Sequence, residues 1–201
     1  VPAHKVASFE LVDLPLIEKM AGTGKPLILS TGMATLGEIA EAIETARRAG
    51  AQQIALLKCT SAYPAPAEEM HLRTIPHLAE AFQVPVGLSD HTLGIAVPVA
   101  AVALGASMVE KHFTLSRASG GPDSAFSLQP EEFRAMVDAI RTAEKALGRV
   151  HYRVTEQEAQ RSGCRAIARD RRREHLCQPR ELNQVIGAGD AVKHDILVGS
   201  D

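Results

Sequence analysis

Short apolar runs recur about every 25 residues along the chain, a spacing typical of repeated βα units. The runs are continuous rather than alternating, as expected for parallel strands that are buried on both faces. They predict five strands: Lys5–Ser8, Leu27–Thr31, Ile54–Thr60, Val84–Ser89 and Met108–Phe113. This periodicity restricts the chain to an α/β architecture with a parallel sheet.

Helix signals fill the segments between the first runs. Asp13 is placed to cap a helix that Gly22 ends. Thr35 and Glu38 have the spacing of a capping box, and the helix that follows them ends at Gly50. Each predicted strand is therefore followed by a helix, as a βα unit requires.

Three further helices are predicted after the third strand. One covers 68–82, with a break or kink at Pro76 because proline lacks the backbone N–H. The small apolar residues of 94–104 predict a buried helix. Pro130 is suited to the first position of a last helix, which Gly148 ends.

Polar residues at the ends of the predicted strands distinguish two folds. The strand-end segments are 8–10, 30–33, 58–61, 89–92 and 110–112. In a TIM barrel all these carboxyl ends converge on one mouth, whereas a doubly wound sheet concentrates function at one switch point. Five polar ends favour a partial TIM (β/α)8 barrel made of about its last five βα units. About three more units would then be expected upstream.

The pattern changes near position 150. From about Gln160 the periodicity fades, 169–173 is a dense charge cluster, and 187–189 predicts a turn rather than a nucleotide loop. We therefore divide the chain into a barrel part, residues 1–150, and a tail, residues 151–201.

Composition excludes several functional classes. A net charge of -2 and an aromatic content of 3% argue against nucleic acid as a partner. No apolar run approaches the roughly 20 residues of a membrane span, and no signal peptide is visible. Cys59, Cys164 and Cys177 form no paired framework. These features predict a cytoplasmic protein with reduced thiols.

His91 and His112 are the strongest candidates for chemistry, because each follows one of two successive strands. Neighbouring barrel strands would bring both imidazoles within reach of one divalent ion. Two histidines with oxygen ligands suit a Mn-, Fe- or Zn-type site, and Glu110 or Asp123 could add a carboxylate. The alternative is two hydrogen-bonded pocket histidines without metal.

Other strand-end residues have a functional and an ordinary interpretation. Glu10 is a general acid or base, or a solvated loop acid. Lys5 binds phosphate or carboxylate, or is an exposed lysine at a strand start. Lys58 and Lys111 point outward, or one of them serves a Schiff-base aldolase. The hydroxyl candidates for an anion are Ser8, Ser30, Thr31 and Ser89.

Three loops are candidates for substrate contacts. Gly32 and Met33 lead into the helix capped by Thr35, and helix N-termini attract anions. Tyr63 lies in a stiff proline-rich loop that could line a pocket. Asp123 lies in a glycine-rich turn and could bind sugar hydroxyls. Each segment is also compatible with a plain loop.

Taken in order, six strings resemble one enzyme family. They are KVASFE, ILSTGMA, LLKCTSAYP, GLSDHT, EKHF and GPDSAFS, and the resemblance extends from Lys5 to about Gly148. The chain resembles the sialic acid synthases, which are phosphoenolpyruvate-dependent nonulosonate synthases. The order and spacing of the six strings are more specific than any single motif.

The resemblance implies a TIM barrel followed by a small antifreeze-like (SAF) domain, assembled as a domain-swapped homodimer. It implies condensation of phosphoenolpyruvate with an N-acetylated amino-sugar and loss of phosphate, with Mn²⁺ or Mg²⁺ activating the sugar aldehyde. The residue roles it implies are metal binding by His91 and His112, phosphoenolpyruvate binding by Lys5, Ser8, Ser30 and Ser89, sugar contacts by Glu10, Tyr63 and Asp123, and orientation of water by Glu110.

Several strings, above all DSAFS, look most like the pseudaminic acid synthases, which use a 2,4-diacetamido-2,4,6-trideoxy altropyranose. N-acetylneuraminate or legionaminate synthesis, an inactive fragment and a different barrel aldolase are the alternatives. The glutamate and lysine that the family carries in its first units are absent, and the arginine of the SAF domain cannot be placed. Residues 151–201 are therefore expected to be a degraded or truncated start of that domain.

Overall fold

The computed structural model describes residues 1–160. Five strands are present: β1 His4–Val6, β2 Leu27–Ser30, β3 Ile54–Cys59, β4 Val86–Asp90 and β5 Val109–Lys111. The helices are α1 Leu14–Ala21, α2 Leu36–Arg48, α3 Thr74–Phe82, α4 Ala96–Ala103, α5 Pro130–Leu147 and α6 Glu156–Ala159. Short 3-10 turns cover Ser8–Glu10, Ala67–Glu69, Arg117–Ser119 and Ser124–Phe126.

All five strands form one parallel sheet in the order β1-β2-β3-β4-β5. Each strand therefore pairs with the next one along the chain, for example Leu29 with Leu56 in register. A doubly wound sheet would reverse its strand order at a switch point, and this sheet does not. The predicted TIM-type architecture is confirmed as a parallel half-barrel with helices between the strands.

The sheet curls strongly. Lys5 on β1 and Glu110 on β5 lie on opposite edge strands, yet Lys5 Nζ is 3.6 Å from Glu110 Oε1. In a flat sheet four strand spacings of about 4.8 Å would separate these strands by roughly 19 Å, more than the two side chains can span. The sheet therefore has a concave face, on which side chains from both edges meet.

The convex face carries the hydrophobic core. Alternate residues of the strands point to it, and it packs against side chains of α1, α2 and α3. Fully buried members from the strands are Val6, Leu27, Leu29, Leu56 and Leu88. Burial of each leucine contributes about 1.5–3 kcal/mol. This layer explains why the runs are apolar and why the helices are amphipathic.

The predicted helix boundaries at the first two units are confirmed. Asp13 Oδ1 accepts from the backbone N–H of Leu16 at 3.1 Å. Thr35 and Glu38 form a capping box, in which the backbone N–H of Thr35 donates to Glu38 Oε2 at 2.7 Å. Such caps satisfy N–H groups that have no partner within the helix. Pro130 is the first residue of α5, and Gly148 follows its end.

Two helix predictions are wrong in part. The segment 68–82 is not one helix: a 3-10 turn is followed by α3, which begins at Thr74. Pro76 consequently lies in the first turn, where its missing N–H removes no helical hydrogen bond. The helix predicted over 94–104 contains only Ala96–Ala103 and exposes Ala96, Ala100 and Ala103, so it is not fully buried.

Residues Val1–Arg149 form one compact unit, and a second unit begins at Val150. In the second unit the structure describes α6, which Thr155 and Glu158 cap. The predicted SAF-like segment, the charge cluster 169–173, the turn 187–189, Cys164 and Cys177 lie outside the described residues. No helix within residues 1–160 has the length and apolar character that crossing a bilayer requires.

Candidate active site

His91 and His112 meet on the concave face, just beyond the ends of β4 and β5. Their ring centroids are 5.3 Å apart. His91 is only 6% exposed, and its Nδ1 is 3.0 Å from the carbonyl oxygen of Thr60. Since a carbonyl only accepts, Nδ1 carries the proton and Nε2 keeps its lone pair. The two imidazoles, called the histidine pair below, are thus close and at least one is oriented.

Electrostatics separate the two imidazoles. Burial would lower the pKa of His91, but its contacts with Cys59 and with the Thr60 carbonyl outweigh that effect and raise it. Burial lowers the pKa of His112, and the neighbouring His91 lowers it further. His112 therefore favours the neutral form, which is the form that binds a metal.

Two aromatic rings surround the histidine pair. Tyr63 lies 4.3 Å from His91 and 6.1 Å from His112, measured between ring centroids. Phe126 lies 5.0 Å from His112 and 5.9 Å from Tyr63. Burial raises the pKa of the Tyr63 phenol, which therefore stays protonated at neutral pH. Phe126 was not among the predicted site residues, although it belongs to the quoted string GPDSAFS.

Four side chains from four strands form a second group on the concave face, called the lysine cluster below: Lys5, Ser30, Ser89 and Glu110. Lys5 Nζ donates to Ser30 Oγ at 2.8 Å and lies 3.6 Å from Glu110 Oε1. Ser89 Oγ donates to the same Glu110 oxygen at 2.7 Å. The Lys5 and Glu110 side chains are partly exposed, so water and salt weaken the attraction between their charges. The pair is also accessible to a ligand.

The turn after β2 packs tightly against the start of the first loop. The backbone N–H of Gly32 donates to Ser8 Oγ at 3.1 Å. A Cβ on Gly32 would lie 2.7 Å from that oxygen and would also clash with Ser61 Oγ. Glycine is therefore needed here for close approach. Thr31 is buried and its hydroxyl donates to the Leu57 carbonyl, whereas Met33 is exposed with φ of +65°.

Not every predicted residue joins these groups. Glu10 is exposed, and its Oε2 accepts from the backbone N–H of Ala7 at 2.8 Å, so it caps its own turn. The N-terminus of α2 is likewise bound by the Glu38 carboxylate. Asp123 does approach the histidine pair, with Oδ2 at 3.7 Å from His112 Nδ1.

The two lysines that could have served an aldolase are both engaged. Lys111 Nζ is 2.6 Å from Asp90 Oδ2, and this side chain is 1% exposed. Lys58 Nζ donates to the Cys59 carbonyl at 2.7 Å and to Thr60 Oγ1 at 3.1 Å. Lys111 lies on the face of the sheet opposite the histidine pair, and its ammonium is buried in an ion pair with Asp90.

Cys59 is a neighbour of the site that the sequence argument passed over. Its Sγ lies 3.9 Å from both His91 Nδ1 and Ser61 Oγ. Burial would raise the pKa of this thiol, but hydrogen bonds from His91 and Ser8 outweigh burial and lower it to about 7. The polar end of the third run, 58–61, was the available signal.

Within residues 1–160, no group of three or more histidine, cysteine, aspartate or glutamate side chains is arranged to hold a metal ion. The histidine pair provides two nitrogen donors, with the Asp123 carboxylate near one of them. A metal at this position would need oxygen ligands from water or substrate. Together, the two groups can hold an anion beside an electrophilic centre.

Known proteins have sequences and folds similar to those of this chain. The sequence profile of the NeuB family matches residues 1–152. Pseudaminic acid synthase from Helicobacter pylori is 50% identical over 153 residues, which cover 76% of this chain and 45% of that protein. N,N'-diacetyllegionaminic acid synthase from Campylobacter jejuni is 49% identical over 146 residues, 72% of this chain and 44% of that protein.

A solved structure gives the same result. The crystal structure of N-acetylneuraminic acid synthetase from Leptospira borgpetersenii, in complex with citrate, matches with a TM-score of 0.73 and 32% identity. The match covers 84% of this chain and 59% of that chain. The chain spans about half the length of the curated relatives it matches.

Proposed function

The chain belongs to the NeuB family, and on that premise we propose that it carries the histidine side of the active site of a pseudaminic acid synthase. The proposed reaction joins phosphoenolpyruvate to a diacetamido-trideoxy altropyranose and releases phosphate. The observation that carries the proposal is the position of the histidine pair beside the lysine cluster on one concave face.

The histidine pair fits a divalent metal such as Mn²⁺ or Mg²⁺. The Thr60 carbonyl fixes the tautomer of His91, the outer-shell arrangement that metal-binding histidines commonly have. His112 favours its neutral form, and Asp123 stands near its other nitrogen. A bound divalent ion would supply Lewis acidity to the carbonyl group of the sugar.

The lysine cluster suits phosphoenolpyruvate. Lys5 provides a cation. Ser30 provides a hydroxyl group bonded to Lys5, and Ser89 provides one bonded to Glu110. A cation with fixed hydroxyl donors binds and orients a carboxylate or phosphate through charge-assisted hydrogen bonds. Ser8 contributes a further hydroxyl beside the Gly32 turn. These residues would hold the anion so that its C3 carbon faces the sugar aldehyde.

The C2=C3 electron pair of phosphoenolpyruvate forms the bond from C3 to the aldehyde carbon, which leaves a cation at C2 and opens the aldehyde C=O bond. Water adds at C2, and one of its protons passes to the former aldehyde oxygen. Phosphate then leaves with the electron pair of its bond to C2 and takes the proton of the C2 hydroxyl, which makes C2 a ketone. Glu110 would orient this water and accept its proton. Ser89 holds one of its carboxylate oxygens, and the substrate takes over the contact with Lys5.

The sugar would occupy the aromatic side of the site. Tyr63 and Phe126 offer apolar ring faces to an acetamido or methyl group, and Asp123 offers a carboxylate to hydroxyl groups. Glu10 would reach the sugar only by leaving the Ala7 N–H that it caps. We propose that the complete enzyme is a homodimer with a SAF domain.

Legionaminic acid synthesis is the second candidate, because the Campylobacter jejuni relative is 49% identical and the Helicobacter pylori relative 50% identical. The string DSAFS favours the pseudaminate substrate, and its residues 123–127 include Asp123 and Phe126 beside the histidine pair.

Phosphate release tests the proposal. The chain is extended with the segments of the Helicobacter pylori relative that lie outside the match, and is incubated with phosphoenolpyruvate, Mn²⁺ and one sugar. We expect phosphate release with the diacetamido altropyranose, loss of release with EDTA, and little release with N-acetylmannosamine. The His77→Ala variant, altered on the exposed side of α3, is the matched control and should retain activity.

Absence of metal-dependent release with any of these sugars would overturn the proposal. Release with N-acetylmannosamine alone would change the sugar and keep the reaction. Condensation with pyruvate in place of phosphoenolpyruvate would point to an aldolase instead.

A further inference from the structure

A buried ion pair lies directly behind the histidine pair. Asp90 and Lys111 are register partners at the ends of β4 and β5. Lys111 Nζ is 2.6 Å from Asp90 Oδ2, and the two side chains are 1% and 0% exposed. The residues that follow them, His91 and His112, point to the opposite face because side chains alternate along a strand.

Thr92 completes the arrangement. The other Asp90 oxygen, Oδ1, accepts from the Thr92 backbone N–H at 3.0 Å and from its hydroxyl at 2.8 Å. Lys111 Nζ also donates to the Thr92 carbonyl oxygen. The residues on both sides of His91 are therefore fastened to Lys111, the residue that precedes His112. We call Asp90, Thr92 and Lys111 the clamp.

The clamp begins where the backbone ladder stops. Asp90–Lys111 is the last residue pair in register between the two strands, and the histidines lie one position beyond it. Ladder hydrogen bonds thus hold the strands up to this pair, and the clamp holds them from there on. Ordinary sheet pairing does not by itself fix the distance between the imidazoles.

Burial of two charges is a poor way to gain stability. Taking both ions out of water costs free energy that their attraction offsets only when the geometry is good, and apolar replacements are often neutral or better. Such a pair instead fixes the orientation of the groups that it joins, since each of its hydrogen bonds restricts an angle as well as a distance.

We propose that the clamp positions the histidine pair and thereby sets the affinity of the site for a divalent ion. Its members do not touch the metal or the substrate, so they are positioning residues. The inference rests on the metal site of the proposed function, and it concerns what holds the imidazoles rather than what they bind.

Mn²⁺ binding to the full 201-residue chain tests the clamp. The double variant Asp90→Asn/Lys111→Met removes both buried charges at nearly constant volume, so neither charge is left unpaired. We expect its Kd for Mn²⁺, measured from the electron paramagnetic resonance of free Mn²⁺, to rise about 10–100-fold, as for other outer-shell partners. The surface pair variant Arg141→Met/Glu144→Gln is the control and should keep the wild-type Kd.

A second measurement needs no metal. Histidine side-chain NMR signals of the metal-free chain report the orientation and surroundings of His91 and His112. We expect both signals to shift or broaden in the clamp variant and to stay in place in the control. If the wild-type chain binds no Mn²⁺, the metal site of the proposed function fails, and these signals alone decide the clamp.

Thr92→Val is the second variant, in case the double variant does not fold. It removes one hydroxyl donor to Asp90 and keeps the shape, so we expect about a fivefold rise in Kd, the size of one lost hydrogen bond. Unchanged Kd and unchanged imidazole signals in a folded variant, even one with a lower urea midpoint, would overturn the proposal and leave the clamp a structural ion pair.

Discussion

The two faces of one curved sheet have opposite chemistry. The convex face presents Val6, Leu29, Leu56 and Leu88 to the helices, and all four are fully buried. The concave face presents the histidine pair and the lysine cluster. Hydrogen bonds join the members of the lysine cluster, and the side chains of Lys5 and Glu110 remain partly exposed. Since neighbouring residues of a strand supply opposite faces, a shift of one position would exchange core and site.

Stability and binding should therefore depend on different residues of the same strand, except at the clamp. A substitution among the apolar residues of the convex face should change the free energy of unfolding, whereas the clamp on the same face should affect metal binding. A substitution at the open end of the concave face should change binding and leave unfolding nearly unaltered.

The largest effect is expected at the histidine pair. His91→Ala or His112→Ala removes one of two nitrogen donors, so Mn²⁺ binding should be lost in an isothermal titration. The urea midpoint should change little for His112→Ala and should fall for His91→Ala, because His91 is buried and its loss leaves the Thr60 carbonyl without this partner. His77→Ala, on the exposed side of α3, should bind as wild type. Undiminished Mn²⁺ binding by both site variants would contradict the assignment of a metal to this face.

Leu29→Ala and Ile28→Ala compare neighbouring positions on the two faces of β2. Leu29 is fully buried in the core, and its truncation should destabilise the chain by about 2–5 kcal/mol. Ile28 is half-buried on the concave face, so we expect a loss of about 1 kcal/mol, because it leaves a smaller cavity. Urea unfolding measures both. Equal losses would show that the concave face is also part of the core.

Gly87→Ala tests packing inside the concave face. A Cβ there would lie 2.5 Å from the Met108 carbonyl oxygen and 2.8 Å from Leu57 Cδ2. Overpacking of this kind costs about 1–3 kcal/mol in unfolding free energy. Gly37→Ala in α2 is the matched control. It meets only Thr35 Oγ1, at 3.9 Å, and should stabilise by roughly 0.5 kcal/mol. A neutral Gly87→Ala would mean that β4 and β5 can move apart.

The smallest effect is expected at an exposed pair beside the mouth. Hydrogen bonds from Arg117 and the Gln129 N–H lower the pKa of Glu132 from 4.5 to about 2. A carboxyl group with a lowered pKa in the folded state stabilises above its unfolded pKa and loses this contribution as pH falls toward 2. The stability difference between wild type and Glu132→Gln should therefore shrink from about pH 5 downward. Glu131→Gln is the control, and a pH-independent difference would contradict the assignment.

The sequence predicted the strands and helices better than the contacts between their side chains. All five strands were found within two residues at every end, because each apolar run contains the buried residues of the convex face and also buried concave residues such as Leu57. Caps at Asp13 and Thr35 depend on local spacing and were also found. The prediction of one helix over 68–82 with a break or kink at Pro76 was wrong in part. The start of α3 at Thr74 depends on the turn that precedes it, and Pro76 lies in the first turn of this helix.

The candidate site was predictable only where it lies at strand ends. The strand-end pattern selected His91, His112, Ser89 and Glu110, and the structure brings them together. The pairing of Asp90 with Lys111 could not be seen, since register across strands is absent from a linear pattern. Phe126 comes from a loop whose folding over the mouth depends on contacts such as Arg117 with Glu132.

The contact between Lys5 and Glu110 also determines the charge of the site before the substrate binds. Lys5 does not wait as an uncompensated positive charge, because Glu110 acts as an internal counter-ion at 3.6 Å. An incoming anion must therefore exchange with a carboxylate that is already present. The substrate anion then replaces Glu110 as the partner of Lys5. Binding of the substrate therefore releases Glu110 from Lys5, so that its carboxylate can orient the attacking water.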